Sequence, residues 1–365
     1  MKELKNKLIL HGRTVWDEEK QALFCNWTCS GVTVHFTGTW LKAKLTVMAD
    51  QIPSMPGFPP NPDYYPCIGV VTDGETLENR QEIKEEGWVE LWQGEGGEHT
   101  LRLVKLSENS RGKLGILALE CDGEILEAPQ EKKPTMEIIG DSITCAFGSE
   151  SSHNSPEFLC SEENGWTSYG AIAARELGYE WRQICVSGIS ASQPEHPLFP
   201  MPGMNEIYHL TDQLFDQRRG VEPATWDFAG NHTDVVVLNL GTNDVNPIRF
   251  SQDFGQIEAM EVYFQKRYLE FIKDIRKWNG EDTFIICALG SMDYYLYDRI
   301  RAAVAEILAE NSCLSLKDLA VNGRDLMALG YSGKDIGQGL NFLLEQVLDG
   351  TLPNEKDALL RALNP

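Results

Sequence analysis

The sequence predicts a β-sandwich of jelly-roll type, then an α/β domain built on a parallel sheet, then a helical tail. Three observations predict this order. Residues 1–128 hold short alternating apolar runs separated by Gly-rich turns, with no helical period. From residue 135 to about 304, apolar strand-like runs alternate with helical stretches. From Ala305 onward the pattern is purely helical. A chain of 365 residues is too long for one ordinary domain, and its 42% hydrophobic content is enough for sizeable cores.

In the first region (1–128) the candidate strands are Val32–Phe36, Leu41–Val47, Ile68–Val71, Val89–Trp92, Leu101–Leu106 and Leu114–Leu119. Lys42 and Lys44 fall on the face opposite Leu41 and Ala43, as a half-buried strand requires. Asp73-Gly74, Gly94-Glu95-Gly96-Gly97 and Asp122-Gly123 read as the turns between strands. The loop 51–66 carries six prolines among Met55, Phe58, Tyr64 and Tyr65, and reads as extended surface chain. Its aromatic residues suit either stacking on a sugar or pinning the loop.

Residues 129–134, Pro-Gln-Glu-Lys-Lys-Pro, read as the linker. In the second region (135–304) the strand candidates are Met136–Ile139, Gln183–Val186, Val235–Leu240 and Phe284–Leu289, with the clearest helices at Trp166–Leu177 and Met260–Trp278. Largely apolar strands joined by helices imply a parallel sheet covered on both faces. Ligands bind such sheets at the carboxyl ends of the strands. In the tail (305–365), Asn322 is a cap for a short helix ending at Gly330. Ser332 caps a helix through Leu348 that Gly350 stops, and Pro353-Asn354 opens a last helix through Leu363.

The net charge of −23 argues against a broad nucleic-acid or anionic-membrane footprint and is compatible with a neutral substrate. The N-terminus lacks the apolar run of an ordinary signal peptide, and no segment approaches the length of a membrane span. Nine cysteines without pairing pattern or metal-ligand spacing read as reduced thiols of a cytoplasmic protein. No metal or organic cofactor is expected.

Chemistry is suggested by two blocks, Met136-Glu-Ile-Ile-Gly-Asp-Ser-Ile-Thr144 and Leu238-Asn-Leu-Gly-Thr-Asn-Asp244. A hydroxyl nucleophile needs exposure, a base and donors for an oxyanion. Ser142 follows a strand directly, and Gly140 permits the tight turn that presents it at a helix N-terminus. Asn243 ends another strand about 100 residues on, so its carboxamide can donate into the same crevice. Gly188 follows the strand ending at Val186 and can donate through its backbone amide. Each block alone also reads as a simple turn, with a capping serine in the first. Cys145, one helical turn after Ser142, reads as a buried small apolar residue, and Asp244 as a group that orients neighbouring backbone.

These blocks resemble those of SGNH (GDSL-type) hydrolases, and the closer resemblance is to carbohydrate esterase family 2. That family pairs an N-terminal jelly roll with an SGNH domain. The similar stretches are His11–Thr14, Phe36–Thr39, His99–Lys105 with Glu108, Ile139–Thr144, and Trp226-Asp227-Phe228 ahead of Asp234–Asp244. They run in order through both domains, over about residues 8–304. The resemblance implies removal of acetyl groups from an acetylated carbohydrate, with Ser142 as nucleophile and Gly188 and Asn243 in the oxyanion hole.

One departure from the family bears on activity. The family ends in an Asp-x-x-His-Pro block, which would fall near residues 325–335. Here the chain reads Leu329-Gly-Tyr-Ser-Gly-Lys334, and no histidine follows His232. Residues 308–363 instead resemble the C-terminal tail of bacterial CCA-adding tRNA nucleotidyltransferases, without those enzymes' catalytic head. From Cys313 to Pro365 there are five Lys/Arg and seven Asp/Glu, or −2, so RNA binding by this piece is not expected. A fusion that replaced the esterase's last strand and catalytic block accounts for both facts. His153, His196, His209 and His232 are the histidines left as substitute bases, and His153 is the nearest in sequence to Ser142.

Overall fold

Nine antiparallel strands make up the first region: β1 (Ile9–His11), β2 (Thr14–Asp17), β3 (Ala22–Cys25), β4 (Gly31–Met48), β5 (Cys67–Thr72), β6 (Leu77–Glu82), β7 (Gly87–Lys105), β8 (Lys113–Cys121) and β9 (Ile125–Leu126). They come from a computed structural model that describes residues 1–51, 62–74, 76–152, 159–193, 201–311, 316–348 and 351–363. The order is β2-β3-β8-β4-β7-β5-β6, with β1 and β9 also paired to β4. Two long strands shape the roll. β4 pairs with β7 along almost its whole length, and bulges after Gly38 and Leu41 bend it. Before the bend β4 also pairs with β1 and β9, and after it with β8. The strand therefore passes from one layer to the other. Leu41, Ala43 and Leu45 alternate inward with Val32, Val34, Phe36, Leu101 and Leu103 to form an apolar core.

The residues Gly94–Gly97, expected to be a turn, lie inside β7, and Gly97 pairs with Gly38. Glycine here serves a bend of the sheet rather than a chain reversal. Pairing outweighed composition in β6 as well, whose Leu-Glu-Asn-Arg-Gln-Glu carries almost no apolar signal. The Asp73-Gly74 and Asp122-Gly123 turns stand where expected. Residues 52–61 of the proline-rich loop, with Met55 and Phe58, lie outside the described residues. Tyr64 is buried and lies under the Arg111 guanidinium at 4.3 Å, so it pins the loop rather than facing a sugar.

The second region carries four parallel strands in the order β11-β10-β12-β13: β10 (Thr135–Gly140), β11 (Glu180–Cys185), β12 (Val235–Asn239) and β13 (Phe284–Ala288). The helices are α1 (Ser142–Cys145), α2 (Tyr169–Glu176), α3 (Met204–Ile207), α4 (Gln213–Arg219), α5 (Val245–Phe250) and α6 (Phe254–Asn279). α6 buries Phe264, Tyr268, Leu269, Phe271, Ile272 and Ile275, one stripe at helical spacing. The central strand is less apolar than its run suggested, because Glu137 in β10 is fully buried. Arg13 of the roll donates to Glu137 at 3.1 Å and to the carbonyls of Tyr208 and Leu210. The rings of Tyr208, Trp226 and Phe228 surround the Arg13 guanidinium at 5.0–5.4 Å. Two of the stretches carrying the family resemblance thus build this junction. Roll and parallel sheet form one compact unit, Met1–Arg299, and share a core of Val104, Leu106, Met136, Ile138, Trp166 and Trp181.

A second compact unit, Ile300–Pro365, is helical. Its elements are most of α7 (Tyr297–Asn311), with α8 (Gly323–Ala328), α9 (Lys334–Leu348) and α10 (Lys356–Leu363). Leu319, Val321, Leu326, Leu343 and Leu359 form its core. Asn322 caps α8 as expected: its side chain accepts from Arg324 N, and Asp325 accepts from Asn322 N. α10 starts at Lys356, because the Asn354 side chain instead accepts from the Ala320 amide. Gly350 lies outside the described residues.

The eight described cysteines are all unpaired, and most are buried. No helix among the described residues is long and apolar enough to cross a membrane.

Candidate active site

β10 runs directly into α1, and the join is too tight for any residue but glycine. A Cβ on Gly140 would lie 1.8 Å from Thr144 Oγ1. Asp141 is the N-cap of α1, its Oδ1 accepting from Ile143 N at 3.0 Å. Ser142 is the first residue of α1, half-buried, and neither its hydroxyl nor its amide is bonded to any described residue. α1 is held from several sides. Gln183 of β11 donates to the Thr144 carbonyl at 2.9 Å, and Thr144 Oγ1 bonds the Tyr169 hydroxyl at 3.0 Å. Cys145 Sγ donates to Glu108 Oε2 at 3.7 Å.

The turn after β11 carries Gly188 at φ +83°, a conformation that favours glycine. Gly188 is exposed, and its N–H has no acceptor among the described residues. After β12, Asn243 reaches both other blocks. Its Nδ2 donates to Asp141 Oδ2 at 3.3 Å and to the Ile189 carbonyl at 3.0 Å. The two sequence blocks and the Gly188 turn thus meet through Asn243, one residue from Ser142 on one side and one residue from Gly188 on the other. Asp244 orients backbone, since its carboxylate accepts from Ala191 N at 3.0 and 3.1 Å.

Burial raises the two aspartates of this cleft. Asp244 is pushed up to about 7, with the Asp141 charge adding to burial, and Asp141 is pushed up to about 6. No histidine bonds Ser142 among the described residues. His209 stacks on Trp278 with ring centroids 5.6 Å apart, and His232 lies 3.6 Å from Asp234, ahead of β12. His11, His35 and His99 are held by Glu180, Glu98 and Asp73. His153 and His196 lie outside the described residues.

Glu108, Cys145 and Glu163 place their ligand-type atoms within 4.8 Å of one another, fully buried. The set does not suit a cation. Burial pushes the Cys145 thiol and the Glu163 carboxyl well up, which favours their protonated forms over the anions a cation needs, and Arg111 already pairs with Glu108. A cavity of about 760 Å³ sits at the opposite, amino ends of the strands, lined by His11, Arg102, Trp166, Glu180 and Trp181. It is remote from the Ser142 turn, since strand-end position, not cavity size, marks the crevice of a parallel sheet.

Comparison with known proteins agrees with this architecture. Residues 10–129 match the family described as carbohydrate esterase 2 N-terminal. Residues 255–363 match tRNA nucleotidyltransferase domain 2 (putative), a match that begins well ahead of residue 308 and takes in α6 and β13. The cellulase/esterase CelE of Acetivibrio thermocellus is 31% identical over 300 residues, 81% of this chain. The chain spans about a third (33%) of the length of that relative. A family two carbohydrate esterase from Clostridium thermocellum, solved in complex with cellohexaose, is 28% identical with a TM-score of 0.67. That match covers 83% of this chain and 84% of the other. An acetyl xylan esterase from Butyrivibrio proteoclasticus shares the fold, with a TM-score of 0.69 at 18% identity over 84% of each chain. By sequence and by the succession of its two sheets, the chain is similar to carbohydrate esterases of family 2 over its first 300 residues or so and ends in a segment similar to a tRNA nucleotidyltransferase.

Proposed function

We propose that the chain is a carbohydrate O-acetyl esterase of reduced power, acting through an acyl-enzyme on Ser142. Its parts are a jelly roll (1–128), an SGNH domain (135–304) and a tail (305–365) that stands where the family has its histidine block. The observation that carries the reading is the Asn243 carboxamide, bonded at once to the residue before Ser142 and the residue after Gly188. Ser142 Oγ attacks the acetyl carbonyl, and the carbonyl oxygen takes up negative charge. The free Gly188 N–H, the amide at the start of α1 and the Asn243 carboxamide donate to that oxyanion. Asn243 reaches it by giving up its 3.3 Å bond to Asp141, the longer of its two. Collapse breaks the bond from the acetyl carbon to the sugar oxygen, which leaves as the alcohol with the proton given up by Ser142 Oγ. Water then adds to the acyl-enzyme, releasing acetic acid and returning a proton to Ser142.

What is weak is proton transfer. No base lies at the 2.6–3.2 Å that the step needs among the described residues, so Ser142 attacks as the neutral hydroxyl. In subtilisin, loss of the triad histidine alone costs about 10⁶ in kcat, and what remains comes from oxyanion hole and binding. That observation favours a second reading, an inactive carbohydrate-binding protein that keeps the cleft. The partner in either reading is an acetylated carbohydrate; the acidic charge speaks against nucleic acid, and the unpaired thiols speak for a reducing, cytoplasmic setting.

The test is kcat/KM on an aryl acetate for the chain, for Ser142→Ala, and for a version whose tail is replaced by an Asp-x-x-His ending. We expect slow turnover that Ser142→Ala abolishes and that the new ending raises by several orders of magnitude. Equal rates for the chain and the repaired version, both lost in Ser142→Ala, would reveal a base and overturn the reduced-power reading. Sugar binding with no Ser142-dependent turnover would leave the binding reading.

A further inference from the structure

The loop joining β7 to β8 breaks a common rule. Loops run over surfaces because buried backbone polar groups need partners. Residues 106–113 are nevertheless almost wholly buried, and they include Ser107, Glu108, Asn109, Arg111 and Lys113. Two buried lysines supply the missing partners. Lys105 Nζ donates to the carbonyls of Ser107 and Glu108, at 2.7 and 2.6 Å, and Lys113 Nζ donates to the Asn109 carbonyl at 2.6 Å. The loop is therefore a rigid plug from the jelly roll, driven into the base of the neighbouring domain.

At its tip, Glu108 is fully buried, with Arg111 Nε at 3.3 Å from Oε1. Its other oxygen faces the candidate site. Glu108 Oε2 accepts from Ser187 N at 2.6 Å, and from Cys145 Sγ at 3.7 Å. Ser187 immediately precedes Gly188, and Cys145 closes the one-turn helix that Ser142 opens. One carboxylate oxygen from the first domain thus ties together the two turns that carry nucleophile and oxyanion donor. Its backbone is fixed in turn, since Glu108 N donates to Glu163 Oε1 at 2.8 Å.

We propose that Glu108 is a positioning residue that sets the separation between Ser142 and the Gly188 amide, so that the jelly roll is a structural part of the active site. The inference rests on the assignment of Ser142 and Gly188 above. Oxyanion donors must lie about 3 Å from one atom, and a displacement near 1 Å costs about 10²-fold in rate. Turns on two different strands have no covalent means of holding such a tolerance, and Glu108 provides a non-covalent one. Gly188 adds to the need, because its own N–H makes no bond among the described residues, so its position is set by its neighbours Ser187 and Ile189.

The experiment compares the full chain with Glu108→Gln and Glu108→Ala. It reads kcat and KM for aryl acetate turnover, the amide ¹H and ¹⁵N shifts of Ser187 and Gly188, and the melting temperature. A glutamine keeps the volume and, through Oε1, the acceptor for Ser187 N, so it is expected to fold and to hold kcat within about threefold. The alanine is expected to lower kcat about 10- to 100-fold with KM nearly unchanged. It should move the Ser187 amide proton upfield and shift Gly188 with it. If the alanine chain does not fold, the glutamine chain decides: the loss of charge-assisted bonding must move the Ser187 resonance. Unmoved Ser187 and Gly188 resonances in a folded variant overturn the proposal, as does a fall in melting temperature with kcat intact. If turnover persists in Ser142→Ala, the nucleophile assignment fails while the amide shifts still judge Glu108.

Discussion

The two sheets of the first 299 residues bury their charges in different ways. The jelly roll keeps charge out of its central core of Val32, Phe36, Leu101 and Leu103 and buries it at one edge, where Lys105 and Lys113 bond carbonyls of the loop between β7 and β8. The parallel sheet places a glutamate, Glu137, in the middle of its central strand and an arginine, Arg182, opposite it in β11. Glu137 accepts from Tyr208 as well as Arg13, and these partners hold it below the usual carboxylate range against the effect of burial. The roll's two buried lysines are satisfied within their own loop, whereas Glu137 of the parallel sheet shares Arg182 of its own sheet with Arg13, a residue of the other domain. Charge buried across a domain junction fixes how two domains meet, where apolar contact alone tolerates sliding.

The comparison is broken most severely at Arg13. Arg13→Met leaves Glu137 buried without its main cation, and we expect a loss of about 3–5 kcal/mol in urea unfolding. The double change Arg13→Met, Glu137→Met should recover most of it, since apolar replacement of a buried pair is often neutral. No recovery would mean that the network does more than satisfy charge. In the roll, Leu101→Ala should cost about 2–5 kcal/mol through a cavity, with the pH dependence of stability left as in the parent.

pH sharpens the contrast further. Asp244 titrates at about 7 in the fold, above the ordinary 3.8 of the unfolded chain. The folded protein therefore holds a proton that the unfolded chain has released. Stability from this site is full below about pH 4 and falls as pH rises toward 7, and Asp141, at about 6, acts in the same direction. Asp244→Asn should flatten this slope in melting curves between pH 4 and 8, while still accepting from Ala191 N. An unchanged slope would place the proton elsewhere. Smallest of all, Glu90→Gln removes an exposed pair with Lys42 on the roll and should change stability by less than about 1 kcal/mol.

Much of this was legible in the sequence, and for identifiable reasons. The parallel strands were visible as apolar runs, β11 only in its second half, and the candidate site was suggested by Ser142, Gly188 and Asn243 falling just past strand ends, with Gly140 closing the first strand. β1 to β3 and β6 were not, being short or polar strands stabilised by long-range pairing. Gly94–Gly97 misled because glycine marks bends inside sheets as well as turns. Glu108 belongs to the stretches that carry the family resemblance, but its role was hidden in Lys105-x-x-Glu108-x-x-Arg111-x-Lys113, a spacing that any solvated loop could show. Its burial is a tertiary fact, set by the domain that closes over it.

The unpaired cysteines give this molecule an internal clock. Burial pushes Cys25, Cys29, Cys67 and Cys160 up to about 12, so at neutral pH each is a thiol that an alkylating reagent cannot attack. Each becomes reactive only when its own surroundings open to water. Cys25 sits in the roll's core, Cys67 where the roll meets the second sheet, and Cys145 beneath the turn that presents Ser142. The order in which those three are alkylated in dilute denaturant is the order in which core, seam and candidate site come apart.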